Sequence, residues 1–214
     1  MVINMREYKC IIFDLDGTIL NTERMNLIPL QRLIKEELGE VISYEDLLKY
    51  KAYAGKRTLE DLGFKDIDKS YKKWVQYVND FEEGAVLYEG FDEVMKTLNS
   101  KGIICAIASS KMKDQYEIDF GPTGLKKYIQ CEVLADDTKR HKPYPDPLLK
   151  VSEILNISPK DCMYIGDTIF DFKATKAAGM DFGIAMWGAD DLDGIDADYN
   201  FKNPSDILKE LNFL

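Results

Sequence analysis

The sequence predicts an α/β fold: an open parallel sheet flanked by helices, with an all-helical domain inserted after the first strand. Three observations predict it. Short, continuously apolar and partly β-branched runs recur along the chain, as in parallel strands covered on both faces. Stretches of helical periodicity separate most of these runs. Residues 22–84 carry several amphipathic stretches and no strand-like run at all.

The first strand is "CIIF" (10–13). The insert follows: "ERMNLIPLQRLIKEELG" places Leu27, Leu30, Ile34 and Leu38 near one helical face, and "SYEDLLKY" opens with Ser43 and Asp46 at capping-box spacing. "DKSYKKWVQYVNDFEEG" carries Tyr71, Trp74, Val75 and Val78 at the same period. The aromatics Tyr71, Trp74 and Tyr77 read as core of this domain rather than as a stacking platform. Beyond the insert, "EGFDEVMKTLNSKG" aligns Phe91, Val94, Met95 and Leu98 and stops at Gly102. Strand-like "IICAIA" (103–108) and "CEVLA" (131–135) come next, then helical "DPLLKVSEILNIS", strand-like "CMYIG" (162–166), helical "IFDFKATKAAG" ending at Gly179, and strand-like "FGIAM" (182–186). Alternation of this kind, joined by right-handed crossovers, makes a Rossmann-like sheet. The expected division is a core of residues 1–20 and 85–214 and a helical domain of residues 21–84.

Composition narrows the function. The 214 residues are 45% hydrophobic, enough for a real core, and 38 acidic residues against 28 basic ones give a net charge of -10. Such a chain is repelled by nucleic acid and by anionic membrane surfaces. The apolar runs fall far short of the ~20 residues a membrane span needs, and the N-terminus shows no signal-type segment, so a cytoplasmic protein is expected. Monomer and dimer are both compatible with the sequence. Cys10, Cys105, Cys131 and Cys162 lie far apart without a CxxC pair and read as reduced, buried thiols. With His141 the single histidine, histidine-rich metal centres are excluded, and acid–base work falls to carboxylates, lysine or tyrosine.

Ligands of open α/β sheets bind beyond the C-terminal strand ends. In this chain Asp14 and Asp16 follow the first strand, Ser109 and Ser110 follow "IICAIA", and Asp167 follows "MYIG" with Asp171 one helical turn on. Lys142 stands in "HKPYPDP", after "CEVLA", where prolines stiffen the backbone. Two like charges about 4 Å apart cost about 4 kcal/mol at an effective dielectric near 20, so these aspartates cannot all stay ionised unaided. A divalent cation relieves them, and hard oxygen donors without histidine or thiolate point to Mg²⁺. Two other signals fail a spacing test. "ADDLDG" (189–194) has alanine where an EF-hand needs its first acid, and "GKRT" (55–58) lacks the first glycine of a P-loop.

"DLDGT" (14–18), "IASSK" (107–111), the lysine of "KPYPDP" (142–147) and "GDTIFDFKATKAAG" (166–179) resemble, in order and spacing, the four motifs of the haloacid dehalogenase-like superfamily. The resemblance spans the chain, and the helical insert resembles the small cap of the phosphoglycolate-phosphatase and β-phosphoglucomutase branch. Asn21 departs from it, standing where many relatives carry aspartate, while Glu23 is kept. The resemblance implies that Asp14 is the nucleophile and forms an aspartyl-phosphate that water cleaves. It implies that Asp16 is the acid and base, and that Asp14, the Asp16 carbonyl, Asp167 and Asp171 serve Mg²⁺. Asp171 would either bind the ion or hold a ligand in place. Ser109 and Lys142 would stabilise the phosphoryl group, with Gly17, Thr18, Ser110, Lys111 and Glu23 lining the substrate.

Substrate choice is expected in the insert, where residues 49–57, "KYKAYAGKR", hold basic residues and no acid. Gly55 would bring backbone close to a ligand, and Lys56 and Arg57 are read equally as ligands of a substrate anion or as a solvated helix end. The reaction expected is Mg²⁺-dependent hydrolysis of a small phosphorylated metabolite. A sugar-phosphate mutase on the same fold is the alternative. A non-catalytic phospho-accepting receiver is a third reading, weakened by the insert and by Asp16.

Overall fold

The structure is a computed structural model that describes residues 7–51, 53 and 55–213; the N-terminal six residues read above for a leader, and positions 52, 54 and 214, lie outside the described residues. Six parallel strands form one sheet: β1 (Cys10–Phe13), β4 (Ile104–Ala108), β5 (Ile129–Val133), β6 (Cys162–Gly166), β7 (Asp181–Ala185) and β8 (Tyr199–Phe201). A short pair, β2 (Leu20–Asn21) and β3 (Val86–Leu87), makes its own two-stranded sheet. The large sheet runs in the order β5-β4-β1-β6-β7-β8, every neighbour parallel. From β1 the chain builds outward through β4 and β5, then returns to build the other side from β6. The tip of β1 is therefore the topological switch point, where such sheets bind ligands.

Strand residues alternate between two helical layers, as a period of two requires. Cys10 and Ile12 of β1 and Cys162 and Tyr164 of β6 join a cluster with Leu148 and Val151 of α7 (Asp146–Leu155) and Ala174 and Ala178 of α8 (Ile169–Ala178). On the other face Phe13 meets Phe91 of α5 (Phe91–Ser100) edge-on, with ring centroids 5.9 Å apart. Phe91, Val94, Met95 and Leu98, the face expected of α5, are wholly buried. Each of the four cysteines is free and buried. Two further helices, α6 (Lys113–Asp119) and α9 (Pro204–Glu210), complete this part of the chain.

The chain divides into two compact units: one holds the residues up to Asn21 and those from Leu87 on, the other Thr22–Val86. The second unit is helical, with α1 (Glu23–Glu37), α2 (Tyr44–Leu47), α3 (Gly55–Asp61) and α4 (Ile67–Asn79). Its core gathers Leu27, Leu30, Leu33, Ile34, Leu47, Leu59, Trp74 and Val78, with Tyr71 and Tyr77 partly buried against it. Ser43 caps α2, accepting a hydrogen bond from the backbone N–H of Asp46 at 3.1 Å.

Three expected strand boundaries move, the first being "IICAIA", which begins one residue ahead of β4, and β8 is a strand that the sequence reading lacks. "CEVLA" begins the strand two residues late and overruns it, because β5 starts at Ile129 and the Gln130 side chain accepts the Cys105 N–H at 2.8 Å. "FGIAM" is shifted by one, Asp181 being the first residue of β7. The edge strand β8 has only three residues, of which Tyr199 and Asn200 stay at least partly exposed, too short and too polar to show periodicity.

Candidate active site

The loop after β1 is wound tightly. The N–H groups of Ile19 and Leu20 both bond the Leu15 carbonyl, at 2.9 and 2.8 Å, and Gly17 at φ +77° makes the reversal. Glycine is required there twice over, since L side chains rarely adopt that φ and a Cβ would stand 2.1 Å from Asp167 Oδ2. The winding leaves the Asp14 carboxylate at the strand tip, 7% exposed, and fixes it through its own N–H, which donates to the Ile165 carbonyl of β6.

The carboxylates of Asp14, Asp167 and Asp171 lie with ligand oxygens within 4.8 Å of one another, all three buried. Lys142 reaches them from its proline-rich loop: its ammonium is 2.9 Å from Asp14 Oδ2 and 2.6 Å from Asp171 Oδ1, and it donates to the Tyr164 hydroxyl at 2.9 Å. Its three protons thus have three acceptors. Tyr164 in turn donates toward the Ala108 carbonyl at 3.0 Å, with Asp171 Oδ1 at 3.2 Å. Asp171 Oδ2 accepts from both the N–H and the hydroxyl of Thr168, at 3.0 and 2.6 Å, which is the capping box that starts α8. Thr18, expected to touch substrate, is wholly buried and spends its hydroxyl on Asp167 Oδ1 at 3.2 Å.

The electrostatics follow from this crowding. Burial, outweighing the attraction of Lys142, and repulsion from Asp171 push the Asp14 carboxyl up to about 7. Burial first, then Asp171 and Asp14, raise Asp167 well above the usual carboxylate range. Lys142 is held above the ordinary lysine value against the effect of its burial, by Asp14 and Asp171. Were all three carboxylates ionised, one ammonium would leave two negative charges uncompensated, a charge that a divalent cation could balance. The donor set is all oxygen, which suits a hard ion such as Mg²⁺.

Asp16 lies apart from this group. Its Oδ1 is 3.0 Å from the ammonium of Lys111, which also contacts Asp119. Ser109, at the end of β4, is buried, and its Oγ accepts the Lys111 N–H at 3.3 Å; Ser110 is exposed. Glu23, Gly55, Lys56 and Arg57 belong to the helical unit. There Lys51 stands 2.8 Å from Glu23 Oε2 and Tyr44 donates to its Oε1 at 2.6 Å. Lys56 pairs with Asp68 at 2.6 Å, and the Arg57 guanidinium lies 4.8 Å over the Tyr53 ring. Gly55 does bring backbone close, but to the protein's own Tyr71: a Cβ there would stand 2.7 Å from Tyr71 Cε2.

Sequence reasoning missed Tyr164, Asp119, Trp187 and Gly188. Trp187 donates its indole N–H to the Thr18 carbonyl at 2.9 Å, and Gly188 packs on the Gly17 carbonyl. The "YIGD" run was the available signal for Tyr164, a hydroxyl three residues ahead of the strand-end aspartate.

Residues 11–185 match the family model for the haloacid dehalogenase-like hydrolases. The chain is 31% identical over 206 residues to the phosphoglycolate phosphatase of Aquifex aeolicus (strain VF5), an alignment covering 94% of this chain and 95% of that one. It is 25% identical over 205 residues to the pyrophosphatase PpaX of Anoxybacillus flavithermus (strain DSM 21510 / WK1), covering 94% and 95%. A crystal structure from Lactobacillus plantarum, provisionally named a phosphoglycolate phosphatase, superimposes with a TM-score of 0.88 at 26% identity, over 96% of this chain and 99% of that one.

Proposed function

The chain belongs to the haloacid dehalogenase-like hydrolases, and we propose that it is a Mg²⁺-dependent phosphatase of small phosphate monoesters that works through an aspartyl-phosphate on Asp14. The observation that carries this reading is the Asp14 carboxylate held at the tip of β1 by its backbone, with Lys142 on one oxygen and Asp167 and Asp171 close by.

Asp14 and Asp167, with the backbone carbonyl of Asp16, would hold the ion. Asp171 already has both oxygens engaged by Lys142, Tyr164 and Thr168, so its part is to fix Lys142 and the start of α8. When bound, Mg²⁺ supplies the positive charge that lets an anionic phosphate approach an anionic nucleophile.

In the first step an Asp14 oxygen bonds to phosphorus, the bond from phosphorus to the leaving oxygen breaks, and Asp16 gives that oxygen a proton. In the second, water bonds to phosphorus, Asp16 takes its proton, and the Asp14–phosphorus bond breaks to return the carboxylate and inorganic phosphate. The Lys142 ammonium and Ser109 hydroxyl would bind the phosphoryl oxygens in both steps. The helical unit would act as the cap that selects the ester. Relatives named as a phosphatase and a pyrophosphatase support water as acceptor over a second sugar hydroxyl, and with hydrolases as relatives the receiver reading is set aside.

The test is phosphate release from a panel of phosphorylated metabolites that includes phosphoglycolate, pyrophosphate and hexose phosphates, with Mg²⁺ or with chelator. Turnover that needs Mg²⁺ supports the proposal. Equal turnover in chelator, or conversion of a hexose 1-phosphate into its 6-phosphate without free phosphate, overturns it.

A further inference from the structure

We propose that Lys111 and Asp119 form a positioning pair for Asp16, fixing the carboxylate that exchanges protons with the leaving group and with water; the proposal rests on the role of Asp16 given above. Among the described residues, Lys111 and Asp119 form a buried ion pair that the reaction sequence does not otherwise use. Their side chains are 7% and 1% exposed, whereas that of Asp16 is 35% exposed. Burying a lysine and an aspartate costs several kcal/mol per ion unless each is well paired. Asp119, the last residue of α6, is paired on both sides, contacting Lys111 through Oδ2 and accepting from the Gln115 amide through Oδ1 at 2.8 Å. Gln115, Asp119, Lys111 and Asp16 thus form one chain of polar contacts from α6 to the end of β1.

The backbone of Lys111 is pinned as well. Its N–H donates to Ser109 Oγ at 3.3 Å and its carbonyl accepts the Ala135 N–H at 3.0 Å. One residue therefore fixes both the serine after β4 and the second aspartate after β1. The arrangement repeats the one around the nucleophile. Lys142 sits between Asp14 and the wholly buried Asp171, and Lys111 sits between Asp16 and the almost wholly buried Asp119. With Lys111 on Asp16 Oδ1, the other oxygen is left for proton exchange. An ion pair of this kind is made with the carboxylate, the form in which Asp16 accepts a proton from water, so loss of Lys111 falls mainly on the second step.

The experiment follows p-nitrophenyl phosphate, whose leaving group departs without a proton, in the Mg²⁺-loaded protein and its Lys111→Met, Asp119→Asn, Asp16→Asn and Lys111→Met/Asp16→Asn variants. Expected for Lys111→Met is a first nitrophenolate burst within about threefold of the parent, followed by phosphate release slowed by about ten- to a hundredfold, part of what a positioned acid–base group contributes. Asp119→Asn shows the same pattern in weaker form, so a poorly folding Lys111 variant does not end the test. Added to Asp16→Asn, Lys111→Met costs less than about twofold more, as expected of groups that act as a unit. Equal loss in burst and release, or a raised KM with kcat kept, overturns the proposal and makes Lys111 a structural or phosphate-binding group. Normal turnover in Asp16→Asn sinks the role of Asp16 itself. Loss there with normal turnover in both Lys111→Met and Asp119→Asn sinks only the pairing.

Discussion

Gly188 abuts Gly17: a Cβ on Gly188 would stand 1.8 Å from the Gly17 carbonyl oxygen. The loop after β7 and the loop after β1 are thereby packed backbone to backbone, and the Trp187 indole N–H, 2.9 Å from the Thr18 carbonyl, ties them a second time. Gly188→Ala must push the loop after β1 away, and with it Asp16 and Asp14. The expected cost is about 1–3 kcal/mol of stability, the usual penalty for overpacking a rigid contact, together with a fall in kcat larger than the change in KM. Thermal melts and steady-state kinetics of Gly188→Ala check this; an alanine variant with parental melting and kcat contradicts it.

Much of this site is legible in the sequence because its groups sit where strong local signals end. Asp14, Ser109 and Asp167 each follow an uninterrupted apolar strand, and Gly17 and the prolines around Lys142 mark where the chain must turn. The strand order then brings the three tips together at the switch point. What the sequence hides are groups whose partners lie far along the chain. Tyr164 occupies a strand position where any apolar residue would satisfy the pattern, and its value lies in meeting Lys142 and Ala108. Asp119 closes a short helix as a surface acid would, yet folds inward onto Lys111. Trp187 and Gly188 follow a strand without any motif of their own, and only the packing onto Gly17 and Thr18 gives them a role.

Tyr164→Phe removes one hydroxyl from two relationships. The Ala108 carbonyl loses its donor and Lys142 loses one of its three acceptors, both in a fully buried setting. A loss of about 1–3 kcal/mol is expected from the unsatisfied carbonyl. Lys142 also becomes free to shift between Asp14 and Asp171, so kcat should fall by roughly tenfold, about 1.4 kcal/mol in the barrier. Denaturant unfolding and kinetics with the best substrate of the panel measure the two effects. Unchanged kcat would show that the two carboxylates alone hold the lysine.

Asp14→Asn tests the nucleophile and the electrostatics together. The amide is nearly isosteric and not nucleophilic, so turnover should vanish while far-UV circular dichroism stays unchanged. In chelator the stability effect depends on pH. Burial raises the Asp14 carboxyl from 3.8 to about 7 in the folded protein, so its folded-state protonation adds stability that is fully present below pH 4 and lost as pH rises through 7. Asparagine does not ionise. The melting temperature of Asp14→Asn relative to the parent should therefore climb between pH 4 and 7 and then level off, and saturating Mg²⁺ should reverse the trend by favouring the parent's carboxylate. A relative melting temperature that falls over that range contradicts the assigned shift.

Asp167 and Asp171 can be told apart by binding alone. Both are buried beside Asp14, and either could serve a cation on proximity. Their hydrogen bonds separate them. Asp167 accepts the Thr18 hydroxyl on one oxygen, whereas Asp171 takes the Lys142 ammonium on Oδ1, beside the Tyr164 hydroxyl whose one proton is shared with Ala108, and two contacts from Thr168 on Oδ2, so that both its oxygens are engaged. Asp167→Asn should weaken Mg²⁺ binding in calorimetry by at least about tenfold, as loss of a direct ligand, and lower activity in step unless Mg²⁺ is raised. Asp171→Asn should bind Mg²⁺ within about threefold of the parent yet lose kcat that added Mg²⁺ does not restore, because Lys142 has lost the anion that anchors it. The amide NH₂ can also keep only part of the Thr168 cap, so Asp171→Asn should melt lower by about 1 kcal/mol or more, an effect absent from Asp167→Asn. Equal Mg²⁺ loss in the two variants would make Asp171 a direct ligand and overturn the division of labour.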